Sequence, residues 1–330
     1  MSSQKETVTL SLALLITTAL LGGGIWFFTR GSKFNLSGVP ADSNNKTNSQ
    51  TLSTIETFAQ VQNIPNGLFS YGGSTTWATI RGEVDPAIQT VWPKFKLRYT
   101  HPSKGTPNSG AGIEMLLDNQ LSFAHSSRPV NDKEYQKAQQ RGFTIKEIPV
   151  AIDGRAVAVH PSLNIPGLTI AQLDDIYAGK ITNWKEVGGG NQKINIYAFQ
   201  GEADGKFKLV PTPTEALRKV AEDPGGIFQA SAPLVVPQCK VKALPLGRNS
   251  NQLVPPYKEP FIPLDQCPAK RNVINTEAFQ NGEYPLTRRL VVVVKQNNQI
   301  DQQAGEAYAN LLLTNQGQEL IEKAGFVRLR

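Results

Sequence analysis

A chain of 330 residues with 39% hydrophobic and 18% charged residues is long enough for two packed lobes and too apolar for a disordered protein. Its formal charge of +7 suits an anion binder, yet Lys and Arg are spread along the whole chain instead of clustering with stacking aromatics, which argues against nucleic acid. Three histidines, no H-E-x-x-H spacing and two cysteines without a neighbouring base argue against a metal site and against catalysis; no catalytic residue and no cofactor is expected.

The first expected element is a span. Residues 8–28 carry no charge and are rich in Leu, Ile and Ala, about the length that crosses a bilayer. Residues 1–30 therefore read as an N-terminal membrane anchor or a signal; the length and the Trp-Phe-Phe exit after Gly24 favour the anchor, with a cleaved signal as the alternative. Residues 31–66 are rich in Ser, Asn and Thr and read as a flexible linker.

From Gly67 onward strand-like and helix-like patterns alternate, which predicts an α/β fold. A short strand is expected at 97–99, a helix with its apolar face on Ile113, Leu116 and Leu117, a strand at 121–124, and a helix over 132–140 ended by Gly142. Residues 148–150 and 157–159 read as two buried strands separated by a turn or crossing at Asp153 and Gly154. The clearest helix grammar lies at 168–180: Thr169 caps, Gln172 completes a capping box, Leu173, Ile176 and Tyr177 face inward and Gly179 stops the helix. Residues 290–294 form a β-branched strand, followed by helices over 304–313 and 316–323.

Three short segments carry small donors of the kind that bind oxyanions. Ser74, Thr75 and Thr76 precede a helix start at Trp77; Ser109 is placed as an N-cap before Gly110; Ser126, Ser127 and Arg128 follow a strand, where open α/β sheets bind ligands. Arg128 can offer a bidentate fork to two oxygens. Each segment also has a plainer reading, as an ordinary cap, a Gly-rich turn, or a surface Arg beside Pro129. His125 reads as a satisfied, partly buried side chain.

These segments occur together with further pieces in a recurring order: Gly-Gly-Ser-Thr-Thr at 72–76, Asn-Ser-Gly-Ala-Gly-Ile at 108–113, Ser-Ser-Arg-Pro at 126–129, Leu-Thr-Ile-Ala-Gln-Leu-Asp-Asp-Ile-Tyr-Ala-Gly-Lys-Ile-Thr-Asn-Trp at 168–184, Asp-Pro-Gly-Gly-Ile at 223–227, and Tyr-Pro-Leu-Thr-Arg at 284–288. In that order the chain resembles the phosphate-type substrate-binding proteins of ABC transporters, the periplasmic phosphate-binding family. The resemblance implies a two-lobed periplasmic-binding-protein fold (type II) with two hinge crossings, near residues 153–157 and 286–290. Lobe one would comprise residues 67–154 plus 289–330, and lobe two residues 155–288. It implies inorganic phosphate as ligand, clamped by lobe closure and delivered to the permease and ATPase subunits of an ABC-type importer. It places contacts at Ser74, Thr75, Thr76, Ser109, Gly110, Ser126, Ser127 and Arg128. The location it implies is the periplasmic side of the bacterial inner membrane, tethered by the span, or the periplasm if the span is cleaved. There Cys239 and Cys267 are able to pair, although two unpaired thiols remain the alternative.

The second lobe departs from the family. After the strand at 194–197 the family has an Arg and Ser-Gly-Thr, whereas here residues 198–206 read Ala-Phe-Gln-Gly-Glu-Ala-Asp-Gly-Lys. Arg155, Gly201, Gly205 and Lys206 are candidates to compensate, and Asp153, Glu202 and Asp204 are candidates to accept the proton that distinguishes phosphate from sulfate. The alternative function is a sensor or scaffold for phosphate or another oxyanion, weakened in its second lobe and not itself transporting.

Overall fold

The structure, a computed structural model, describes residues 55–199 and 207–329. The expected span and residues 31–54 of the linker lie outside the described residues, as do Gly201, Glu202, Asp204, Gly205 and Lys206. The rest of the expected linker is not free chain: Phe58–Gln60 form a 3-10 turn, and Phe58 and Val61 are buried in the core beside Trp77 and Tyr308. Among the described residues no helix is long and apolar enough to cross a membrane.

The chain opens with β-α-β crossovers. Gly67–Gly73 (β1) leads through Ala78–Val91 (α1) to Phe95–Tyr99 (β2), and Ser109–Leu117 (α2) leads to Phe123–Ser126 (β3); β2 and β3 flank β1 in parallel. Asp132–Gln140 (α3) follows, capped by Asn131 with Glu134 in a capping box. Strand β3 begins two residues later than its hydrophobic pattern suggested, and so carries Ser126 at its carboxyl end.

Thr144–Val159 (β4) is one strand of 16 residues, not two strands around a turn. The glycine at its middle marks a close approach: a Cβ on Gly154 would stand 2.2 Å from the Phe279 ring. Next come Leu168–Thr169 (β5), Ile170–Tyr177 (α4), Asn195–Phe199 (β6), Lys208–Val210 (β7), Pro213–Glu222 (α5), Gly226–Ser231 (β8), Ala232–Val235 (α6), Lys242–Leu244 (β9), Leu246–Gly247 (β10) and Thr276–Gln280 (α7). The chain then returns through Thr287–Gln296 (β11) to Ile300–Leu312 (α8) and Asn315–Lys323 (α9). The capping box of Thr169 and Gln172 forms as its sequence predicts.

One nine-stranded sheet runs in the order β2-β1-β3-β11-β4-β8-β6-β7, with β9 also paired to β4. Strand β4 changes partner along its length. It pairs with β11 as far as Thr287 opposite Gly154, then with β8 from Arg155 opposite Ser231. The apolar core changes at the same place: Val150 and Ala151 pack with Trp77, Phe123 and Tyr308, while residues 156–159 pack with Trp184, Leu217 and Ile227. The β-branched run of β11 serves both faces of the sheet. Leu290, Val292 and Val294 face one cluster and Val291 and Val293 another, the period of two that a strand covered on both faces requires.

Cys239 and Cys267 form a disulfide across 28 residues of a loop-rich excursion, with their Cα atoms 5.7 Å apart.

Candidate functional site

The carboxyl ends of β1 and β3 and the start of α2 meet at one point, and glycines make the meeting possible. A Cβ on Gly112 would stand 2.4 Å from the Gly73 Cα, and Gly73, with φ of +123°, would thrust a Cβ to 2.2 Å from the His125 carbonyl oxygen. With hydrogens there instead, three serines converge. The Ser74 hydroxyl donates to Ser127 Oγ at 3.0 Å, Ser109 Oγ stands 3.3 Å from Ser127 Oγ, and the Ser127 amide donates to Ser109 Oγ at 3.1 Å. All three serines are buried. The cap of α2 is Asn108 and not Ser109: the Asn108 carboxamide accepts from the Ala111 amide at 2.9 Å, and Ser109 is the first helical residue. This frees the Ser109 hydroxyl for the serine cluster and leaves the first-turn amides of Ser109 and Gly110 beside it, where a helix start favours negative charge.

Around this cluster lies a cavity of about 390 Å3, lined on one side by Asn108, Ser109, Gly110, Ser127 and Arg128 and on the other by Tyr177, Tyr197, Phe199, Phe207 and Phe228. Arg155 and Arg288 close its floor. Thr75 and Thr76 line a second cavity, which shares Arg155 and Arg288 with the first. They sit in a short 3-10 turn, Thr75–Trp77, whose cap is Ser74, so α1 starts at Ala78 and not at Trp77.

Ser126 belongs to neither cavity. Its hydroxyl donates to the Arg128 carbonyl at 2.6 Å and accepts from the Arg128 amide at 3.2 Å, closing the turn that presents Ser127. Arg128 does form a bidentate fork, but with a carboxylate of the protein. Its Nη1 and Nη2 donate to Glu134 Oε2 and Oε1 at 2.9 and 2.6 Å, and this bonding raises the guanidinium pKa. Arg128 thus reaches the cavity with its charge already balanced by the capping-box glutamate of α3.

Arg288 also belongs to the site, beyond the residues expected from the sequence. Its Nε donates to Asp153 Oδ2 at 2.9 Å and its Nη2 to Thr76 Oγ1 at 3.0 Å, tying the middle of β4 to the Ser74–Thr76 turn. Asp153 is fully buried, lines neither cavity, and receives the Ser231 hydroxyl on its other oxygen at 2.5 Å. Burial pushes its carboxyl up from the ordinary aspartate range, while Arg288 and Ser231 pull it back. Both oxygens are engaged, so Asp153 organises the floor and is not placed to accept a ligand proton. The motif at 284–288 contains Arg288 but not its partner; strand register supplies that, since Arg288 stands opposite Asp153 in the β11–β4 ladder.

His125 differs from its expectation. It is fully buried, neither ring nitrogen has a hydrogen-bond partner among the described residues, and its ring stacks on Trp77 at 3.9 Å with Tyr308 at 5.3 Å. Burial, with the nearby Arg81 charge, drives its pKa well below the usual 6.5, so the ring is neutral.

Known proteins give the same architecture. A phosphate-binding protein PstS from Staphylococcus epidermidis is 26% identical over 266 residues, covering 77% of this chain and 80% of that protein. One from a bovine strain of Staphylococcus aureus is 28% identical over 236 residues, covering 68% of each. Among solved structures, an ABC-type phosphate transport receptor from Vibrio cholerae superposes with a TM-score of 0.60 at 20% identity, over 78% of this chain and 99% of that one. The family model described as the PBP superfamily domain matches residues 47–316, most of the chain, and with the convergent loops and the partner-changing strand β4 it identifies the protein as a member of the PBP superfamily.

Proposed function

We propose that this protein binds inorganic phosphate outside the cytoplasm and delivers it to the permease and ATPase of an ABC-type importer. The observation that carries this reading is the cluster of Ser74, Ser109 and Ser127 at the amino end of α2, with Arg155 and Arg288 beside it. Such a cluster offers hydroxyls, helix amides and cations to a tetrahedral oxyanion, and it contains no nucleophile–base pair for catalysis. The named relatives support phosphate as the ion. The Cys239–Cys267 disulfide supports an oxidising, extracytoplasmic compartment. The span at residues 8–28 would tether the protein to the membrane.

In this reading the lobes are residues 67–154 plus 289–330 and residues 155–288, and they close about the partner change in β4 and the start of β11. Ser109, Gly110 and Ser127 contact the ion directly, Thr75 and Thr76 reach it from the adjoining space once the lobes close, Ser74 and Ser126 hold Ser127 in place, and Arg155 and Arg288 supply most of the positive charge, Arg128 being shared with Glu134. Serine hydroxyls accept as well as donate, so they can take the proton that phosphate carries and sulfate lacks. Calorimetric titration of the purified full chain tests this: phosphate should bind at one site, and sulfate more weakly. No heat with phosphate and no thermal shift would sink it.

A further inference from the structure

The cleft is larger than its anion cradle. Past Arg155 and Arg288 it opens into the second cavity, of about 290 Å3, and the two spaces share Phe199, Phe228 and Gln229 as well as those arginines. Thr75, Thr76, Thr79, Thr214 and Ser231 line this second space too, but most of its exposed lining is apolar, with Pro213, Pro233, Leu234 and Phe326 among it. Together the two spaces reach the range that small organic ligands occupy, roughly 300–1,000 Å3.

Inorganic phosphate has no use for such walls. Its oxygens need donors on every side, and an oxygen turned to Phe199 and Phe228 would give up water without gaining a hydrogen bond. A phosphate monoester or a phosphonate is different. Three oxygens remain for the hydroxyls, amides and guanidinium groups, and the fourth position carries an organic group that is better off against rings than in water. Ser109 and Ser127 line the first space, Pro233, Leu234 and Phe326 the second, and Phe199 and Phe228 both.

The geometry points to a phosphate monoester or phosphonate with an apolar organic substituent as a ligand of this cleft, its head on Ser109, Ser127 and the two arginines and its substituent across Phe199 and Phe228. This rests on the oxyanion reading above and narrows its ligand class. Titration of the full chain with phenyl phosphate, inorganic phosphate and glycerol 3-phosphate tests it. Phenyl phosphate should bind about tenfold more tightly than inorganic phosphate and compete with it, and glycerol 3-phosphate, whose substituent is polar, should not outdo the inorganic ion. Phe228→Leu, and Leu234→Ala on a partly exposed wall, should each weaken phenyl phosphate at least fivefold and leave inorganic phosphate within about twofold; the second keeps the test open if the first disturbs folding. Inorganic phosphate binding as tightly as phenyl phosphate, or a folded variant weakening both ligands equally, would overturn the inference while leaving the oxyanion reading intact. Binding of neither ligand would remove the oxyanion reading itself, and this inference with it.

Discussion

The two walls of the cleft solve different problems with different materials. The wall built by β1, β3 and α2 is made of hydroxyls and helix amides that touch one another at about hydrogen-bond distance. The facing wall, on α4, β6 and β8, is built among the described residues largely of Tyr177, Tyr197, Phe199 and Phe228. The first is organised by glycines that let backbones approach; the second by the alternation that turns a strand's large side chains to one face. A donor-rich wall recognises charge, whereas a ring-rich wall excludes water and recognises shape. Among the described residues, charge recognition is therefore concentrated on one wall and on the arginines of the floor.

The contrast can be broken first at that floor. Arg288→Ala removes the ion-pair partner of the fully buried Asp153 carboxylate and leaves it the field of Arg155, which should cost about 3 kcal/mol of stability. A thermal or urea melt unchanged from the parent would show that the pair does not hold the two halves together. Next is the donor wall: Ser127→Ala should weaken phosphate by about 1–3 kcal/mol, because it removes the hydroxyl shared by Ser74 and Ser109. Equal loss from an aromatic substitution such as Phe228→Leu would erase the distinction between the walls.

Beneath the donor wall lies a pH dependence. His125 is neutral when folded and takes up a proton more readily when unfolded, so the unfolded state binds more protons below about pH 6.5 and acid destabilises the fold. Stability held at neutral pH should fall by up to ~1.4 kcal/mol per pH unit as pH drops through that value, and His125→Phe, which keeps a stacked ring, should flatten this part of the profile. A variant with the parent's acid slope would move the cause elsewhere. The smallest effect is expected at Arg128. With its fork on Glu134, Arg128→Ala should weaken phosphate by about 1 kcal/mol or less. A loss of about 3 kcal/mol would mean that the guanidinium leaves Glu134 for the ligand.

Much of the fold was legible along the chain. The Thr169–Gln172 box, the helix over 132–140 and the β-branched strand at 290–294 all announce themselves through neighbours within a few residues. The differences have a common origin. Gly154 reads as a turn or a crossing because a glycine inside a strand pattern marks either a bend or a close approach; the strand runs straight through and changes partner there, and only the Phe279 ring, brought from far along the chain, explains the glycine. Arg128 reads as the ligand's cation because its competitor Glu134, although six residues away, turns back onto it only once α3 is docked. Ser109 reads as the cap because Asn108 and Ser109 are both good caps, and the register of the first turn decides between them.

By itself the sequence determined the elements and the three donor-bearing loops, because caps, apolar periodicity and small residues act over a few neighbouring positions. The tertiary structure alone decided that the serines converge while Ser126 turns away, that Arg288 and Asp153 form the floor, and that rings face the donors. Those outcomes depend on side chains tens to hundreds of residues apart, such as Thr76 and Arg288, competing for the same partners once packing brings them within hydrogen-bond reach.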